Sequence, residues 1–135
     1  MGSILLVEAD LEVAEDWSAA FAGAGHDTVR ASTLRDAPPL VREGGIDVVV
    51  IDDVDHCIGV IELAKSIELL PDAPPIVLVS GSIVAPEISA RIGAAAFVTK
   101  PCEPDELLAI IARLTGELRP VRSLEDEPTG PTYMG

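Results

Sequence analysis

The chain has 135 residues, 48% of them hydrophobic and 24% charged, with a formal net charge of −14 at pH 7. That length supports one domain with a real core, and the negative balance repels nucleic acid and anionic lipid, so neither is expected as a direct partner. No apolar run approaches the roughly 20 residues that cross a bilayer, and the sequence opens on a strand pattern rather than a signal peptide, so the expected location is the cytoplasm.

The first element is the continuous apolar run Ile4 to Val7, read as a buried strand. Leu11 to Ala22 then follows helical spacing, with Val13, Trp17 and Phe21 on one stripe, and Gly23-Ala24-Gly25 ends it. Thr28 to Ala31 is a short second strand. The next helix is expected to be broken by Pro38-Pro39, or to start late with a proline in its first turn. Gly44-Gly45 leads into a third strand, Ile46 to Ile51, which stops at Asp52.

Ile58 to Leu70 reads as a helix closed by Pro71, Pro74 and Pro75. Ile76 to Val79 is the fourth strand, stopping at Ser80-Gly81, and Pro86 to Ile92 is a short helix. Phe97 to Thr99 is the fifth strand, followed by Lys100-Pro101, and a last helix runs from Pro104 or Asp105 to about Leu114. Five β–α repeats predict a doubly wound parallel sheet flanked by five helices. In such sheets ligands sit beyond the carboxyl ends of the strands. Glu8, Asp10, Asp52, Ser80 and Lys100 all fall at those ends. One domain is expected over residues 1–116, followed by an acidic tail or linker stub, rich in proline and glycine, over 117–135. Cys57 and Cys102 lack metal-ligand spacing and read as small buried thiols.

Acids, a hydroxyl and a lysine around one carboxylate suit a metal-assisted phosphoryl acceptor. The nucleophilic carboxylate needs positive charge nearby to approach an anionic donor, from Lys100 or from a Mg²⁺ held by carboxylates. Asp52 is the expected acceptor.

The five segments, and most of all Gly93-Ala94-Ala95-Ala96-Phe97-Val98-Thr99-Lys100-Pro101, resemble the receiver domain of two-component response regulators over about residues 3–116. The resemblance implies a flavodoxin-like fold and a signalling domain rather than a classical enzyme, at most catalysing its own phosphotransfer and dephosphorylation. It implies a histidine kinase or phosphotransfer protein as donor, a downstream protein as target, and Mg²⁺ as cofactor. Carried over, Asp52 is the phosphoacceptor, Ser80 the switch hydroxyl, Lys100 the paired lysine before a cis proline bond, and Phe97 the aromatic switch. Glu8 and Ala9 occupy the positions of the acidic pair that holds the metal.

The sequence departs from that pattern in three places. Ala9 has no ligand atom where the family has a second acid, so Mg²⁺ is expected to bind more weakly than usual, and the neighbouring Asp10 either turns inward as a ligand or caps the first helix. The loop after Asp52 is shortened and acidic: His56 stands in place of a proline, Gly59 comes one residue early, and Asp53 and Asp55 add charge or substitute ligands. The stretch between Ser80 and Lys100 is about two residues shorter than in the family. The expected function is a single-domain receiver signalling by protein contacts after phosphorylation at Asp52. The alternative is a phosphorylation-independent pseudo-receiver used for docking. A metal-dependent phosphatase on the same scaffold would need a larger cap and more acids than this chain offers.

Overall fold

The structure, a computed structural model, describes residues 2–52, 57–100 and 102–115, and for Cys57 and Ile58 the backbone alone. The expectations for Asp53, Asp55, His56, the Lys100–Pro101 bond and the 117–135 tail therefore fall outside the described residues.

Strands β1 (Ser3–Val7), β2 (Asp27–Ala31), β3 (Val48–Asp52), β4 (Ile76–Ser80) and β5 (Ala96–Thr99) form one parallel sheet in the order β2-β1-β3-β4-β5. Helices α1 (Leu11–Gly23), α2 (Ala37–Arg42), α3 (Cys57–Glu68), α4 (Ala85–Ile92) and α5 (Pro104–Thr115) supply the crossovers. No helix among the described residues is long and apolar enough to cross a membrane.

Period-two alternation along the buried strands gives each face of the sheet its own core. Leu5, Val7, Val49, Ile51 and Leu78 pack with Val41 of α2, Leu63 and Ile67 of α3, and Ala85 of α4. Ile4, Leu6, Val48, Val50, Val77 and Val79 pack with Phe21 of α1 and Leu107 and Ile111 of α5. Trp17 is half-buried on this second face, its ring centroid 6.0 Å from that of Phe21. With so few aromatic residues, β-branched and leucine side chains fill both layers.

Two boundaries move by two residues from the periodicity, the start of β3 and the end of α3, and the second helix takes one of its two expected forms, the late start with a proline in its first turn. β3 begins at Val48 rather than Ile46: Asp47 is spent on β1, its Oδ2 accepting the Ser3 N–H at 2.8 Å. The second helix is not broken by its prolines. A 3-10 turn over Leu34–Asp36, capped by the Thr33 hydroxyl, hands over to α2, and Pro38 stands in the first turn. There the missing N–H costs nothing, because first-turn amides have no intrahelical acceptor. α3 ends at Glu68, which leaves Leu69 86% exposed beyond it.

Candidate functional site

The carboxyl edge of β1, β3 and β5 brings three charged side chains together. Glu8 continues the alternation of Ile4 and Leu6, Asp52 that of Val48 and Val50, and Lys100 that of Val98, so all three project toward the α1/α5 side of the sheet. Asp52 is 1% exposed, and its Oδ1 lies 2.6 Å from Lys100 Nζ. Beyond Lys100 and the facing Glu8 carboxyl, the two buried Asp52 oxygens meet no hydrogen-bond donor among the described residues. A buried carboxylate is costly to hold without a partner, and Lys100 supplies one here.

Glu8 is also buried, and its Oε2 accepts the Asp10 N–H at 3.0 Å. Burial pushes its pKa from 4.5 up to about 7, helped by a hydrogen bond shared with the Asp52 carboxyl and by the Asp52 charge. The Asp10 N–H and Lys100 pull it the other way. The facing Asp52 charge thus adds to burial in opposing the ionisation of Glu8.

Ser80 is buried at the end of β4. Its hydroxyl oxygen accepts the Ser82 N–H at 3.0 Å, and its carbonyl accepts the Lys100 N–H at 3.1 Å. The second bond ties the backbone of Lys100 to β4 beside Asp52. The backbone at Gly81 runs close by as well: a Cβ there would lie 3.5 Å from Lys100 Cβ, in ordinary van der Waals contact. Phe97 is half-buried and packs against the α2/α3/α4 face, opposite to the three charged groups.

Asp10 caps α1, its Oδ1 accepting the Glu12 N–H at 2.9 Å and the Val13 N–H at 3.3 Å. Of the two roles open to it in the sequence, capping is the one this geometry adopts. Ala9 is exposed, and its side chain supplies nothing to the crevice. The acids present there among the described residues are thus Glu8 and Asp52, and no group of three or more His, Cys, Asp or Glu side chains able to hold a metal occurs among them. Two buried facing carboxylates still match Mg²⁺, which is commonly held by one or two carboxylates and keeps several waters.

Arg30 is a residue that sequence reasoning missed. It reaches from β2 to the β1–α1 turn, donating from Nε to the Glu8 carbonyl at 3.1 Å and from Nη2 to the Ala9 carbonyl at 3.0 Å. The available signal was an arginine one residue from the end of a short strand, next to the strand that carries Glu8.

The sequence profile of the response regulator receiver domain matches residues 4–112. Among solved structures, the non-phosphorylated HemR receiver domain from Leptospira biflexa is 25% identical, with a TM-score of 0.72 over 89% of this chain and 98% of its own. The signal receiver domain of a histidine kinase from Syntrophus aciditrophicus is 23% identical, with a TM-score of 0.74 over 93% and 98%. The chemotaxis response regulator CheY4 of Vibrio cholerae is 20% identical, with a TM-score of 0.74 over 84% and 98%. No curated protein sequence gives a significant match.

Proposed function

The chain belongs to the response regulator receiver family, and from that premise we propose that it accepts a phosphoryl group on Asp52 and signals through protein–protein contacts. The supporting observation is the Asp52–Lys100 pair, a nearly inaccessible carboxylate whose close cationic partner comes from a different strand. In the proposed step an Asp52 oxygen attacks the phosphorus of an acyl- or histidine-bound donor. The new bond is O–P, the bond to the leaving group breaks, and the leaving group takes that electron pair. Lys100 then transfers its pairing from the carboxylate to the phosphoryl oxygens, where negative charge has accumulated. The Ser80 hydroxyl oxygen accepts from Ser82 N–H, which leaves its own proton available to donate to the phosphoryl group.

Mg²⁺ would be held by Glu8 and Asp52, and when bound it supplies neutralising charge for the incoming phosphoryl oxygens. A histidine kinase or a phosphotransfer protein is the proposed donor, and a downstream protein the target. The test is incubation with acetyl phosphate and Mg²⁺ followed by intact mass. The expected result is a gain of one phosphoryl group by the wild type and none by Asp52→Asn. A wild type that stays unlabelled under every metal condition, beside a known receiver labelled in parallel, would sink the proposal.

Ala9 favours a second reading, the pseudo-receiver, in which the fold docks a partner without phosphorylation. That reading expects Asp52→Asn to leave the biological output intact, whereas phosphorylation-driven signalling expects its loss.

A further inference from the structure

We infer that Arg30 is a positioning residue for Glu8, acting through the Ala9–Asp10 peptide. The inference rests on the proposed role of Glu8 as a Mg²⁺ ligand. With Ala9 supplying no ligand, the β1–α1 turn contributes Glu8 alone, so the placement of one carboxylate sets what that turn offers a metal. That placement depends on the Asp10 N–H, which donates to Glu8 Oε2 at 3.0 Å.

The Asp10 N–H and the Ala9 carbonyl belong to the same peptide unit. The unit is planar and trans, so the carbonyl and the N–H point in opposite directions and turn together. Arg30 Nη2 holds that carbonyl at 3.0 Å, and Arg30 Nε holds the preceding Glu8 carbonyl at 3.1 Å. Two donors of one rigid guanidinium therefore fix two successive peptide planes, and the second plane aims its N–H at the Glu8 carboxylate. Neither carbonyl accepts a backbone N–H among the described residues.

The register makes the reach possible. Arg30 pairs with Leu6, two residues before Glu8, and the ladder continues with the Glu8 N–H donating to the Ala31 carbonyl at 3.0 Å. Arg30 therefore lies on the same strand face as Glu8, and its long side chain runs along that face to the turn. Its effect is geometric rather than a direct charge on the carboxylate: the charges that shift Glu8 are Asp52 and Lys100.

The test compares the full-length wild type with Arg30→Gln and Arg30→Lys, reading Mg²⁺ affinity by calorimetry and acetyl phosphate labelling against Mg²⁺ concentration. Outer-shell partners of metal ligands are commonly worth about 10–100-fold in affinity. The expected result is a loss of about tenfold in Mg²⁺ affinity for Arg30→Gln, with the labelling rate at saturating Mg²⁺ nearly unchanged. Arg30→Lys, which keeps the cation but cannot span both carbonyls, falls between the two. If Arg30→Gln does not fold, Arg30→Lys decides. Wild-type affinity in a folded variant overturns the inference. So does a loss confined to the saturated labelling rate. A wild type that binds no Mg²⁺ overturns this inference together with the role proposed for Glu8. A wild type that binds Mg²⁺ and becomes phosphorylated, with variants that bind equally well, overturns this inference alone.

Discussion

Asp52 and Glu8 stand on neighbouring strands and face the same crevice, yet they are held in opposite ways. Asp52 is supported by a side chain from the end of a different strand: Lys100 reaches its Oδ1, and no backbone donor among the described residues helps. Glu8 is supported by backbone: the Asp10 N–H meets its carboxylate, and Arg30 holds the turn around it. A side-chain ion pair can be exchanged when a competing anion arrives, because only rotamers must change. A peptide plane clamped from both ends cannot shift without moving the turn. The contrast suits the roles proposed for the two residues, a nucleophile that releases its partner beside a metal ligand that stays in place.

Four substitutions test that contrast, from the largest expected effect to the smallest. Removing the cation with Lys100→Met should destabilise the fold by about 2–4 kcal/mol, below the upper end for fully buried pairs because Lys100 is 29% exposed. It should also slow acetyl phosphate labelling sharply. Urea unfolding with an unchanged slope and a lower midpoint would register the first effect. A variant as stable as wild type would show that Asp52 does not depend on Lys100.

Glu8→Gln should act in the opposite direction at neutral to alkaline pH. The folded pKa of about 7 lies above the unfolded value of 4.5, so the folded state holds the proton more tightly. The wild type therefore carries no penalty from Glu8 below about pH 4.5. The penalty grows as pH rises from 4.5 to 7 and is complete above that. In metal-free buffer Glu8→Gln should be more stable than wild type by about 1–3 kcal/mol at pH 8, and the gap should close near pH 4. Denaturant midpoints across that pH range measure it, and a pH-independent gap would contradict the shared proton.

Ala9→Asp restores a carboxylate to the exposed side of the clamped turn. Mg²⁺ affinity should rise by about tenfold, equivalent to about 1.4 kcal/mol, as read by calorimetry. An unchanged affinity would mean that the turn, not the missing ligand, limits the site. Asp10→Ala removes the α1 cap and should cost about 1 kcal/mol of stability. Mg²⁺ affinity should hold in this variant, because the Asp10 backbone N–H rather than its carboxylate serves Glu8. A tenfold loss there would instead assign the Asp10 side chain to the metal.

Much of the fold was legible in the sequence because the strands announce themselves as short apolar runs ending in a polar group. The prolines at 38 and 39 left two readings open, and only the structure chose between them. Whether a proline breaks a helix or starts one depends on where the first turn falls. Here a 3-10 turn capped by Thr33 sets that point. Similarly, periodicity places Asp47 within a strand, whereas its side chain accepts the Ser3 N–H and the strand begins one residue later.

At the site, the strand ends of Asp52, Glu8 and Lys100 could be read from local pattern, and their common face follows from strand alternation once the register is known. Arg30 could not be read in the same way. Its role needs the register of β2 against β1, a contact 22 residues apart in sequence between the guanidinium and the Glu8 carbonyl. The sequence by itself determined the order of elements, the two-sided core and the edge on which the polar groups gather, because these follow from periodicity and from the handedness of β–α–β crossovers. Tertiary structure alone decided which oxygen meets which donor. Those pairings depend on side chains and peptide planes brought together from distant parts of the chain, where a difference of about 1 Å separates a hydrogen bond from none.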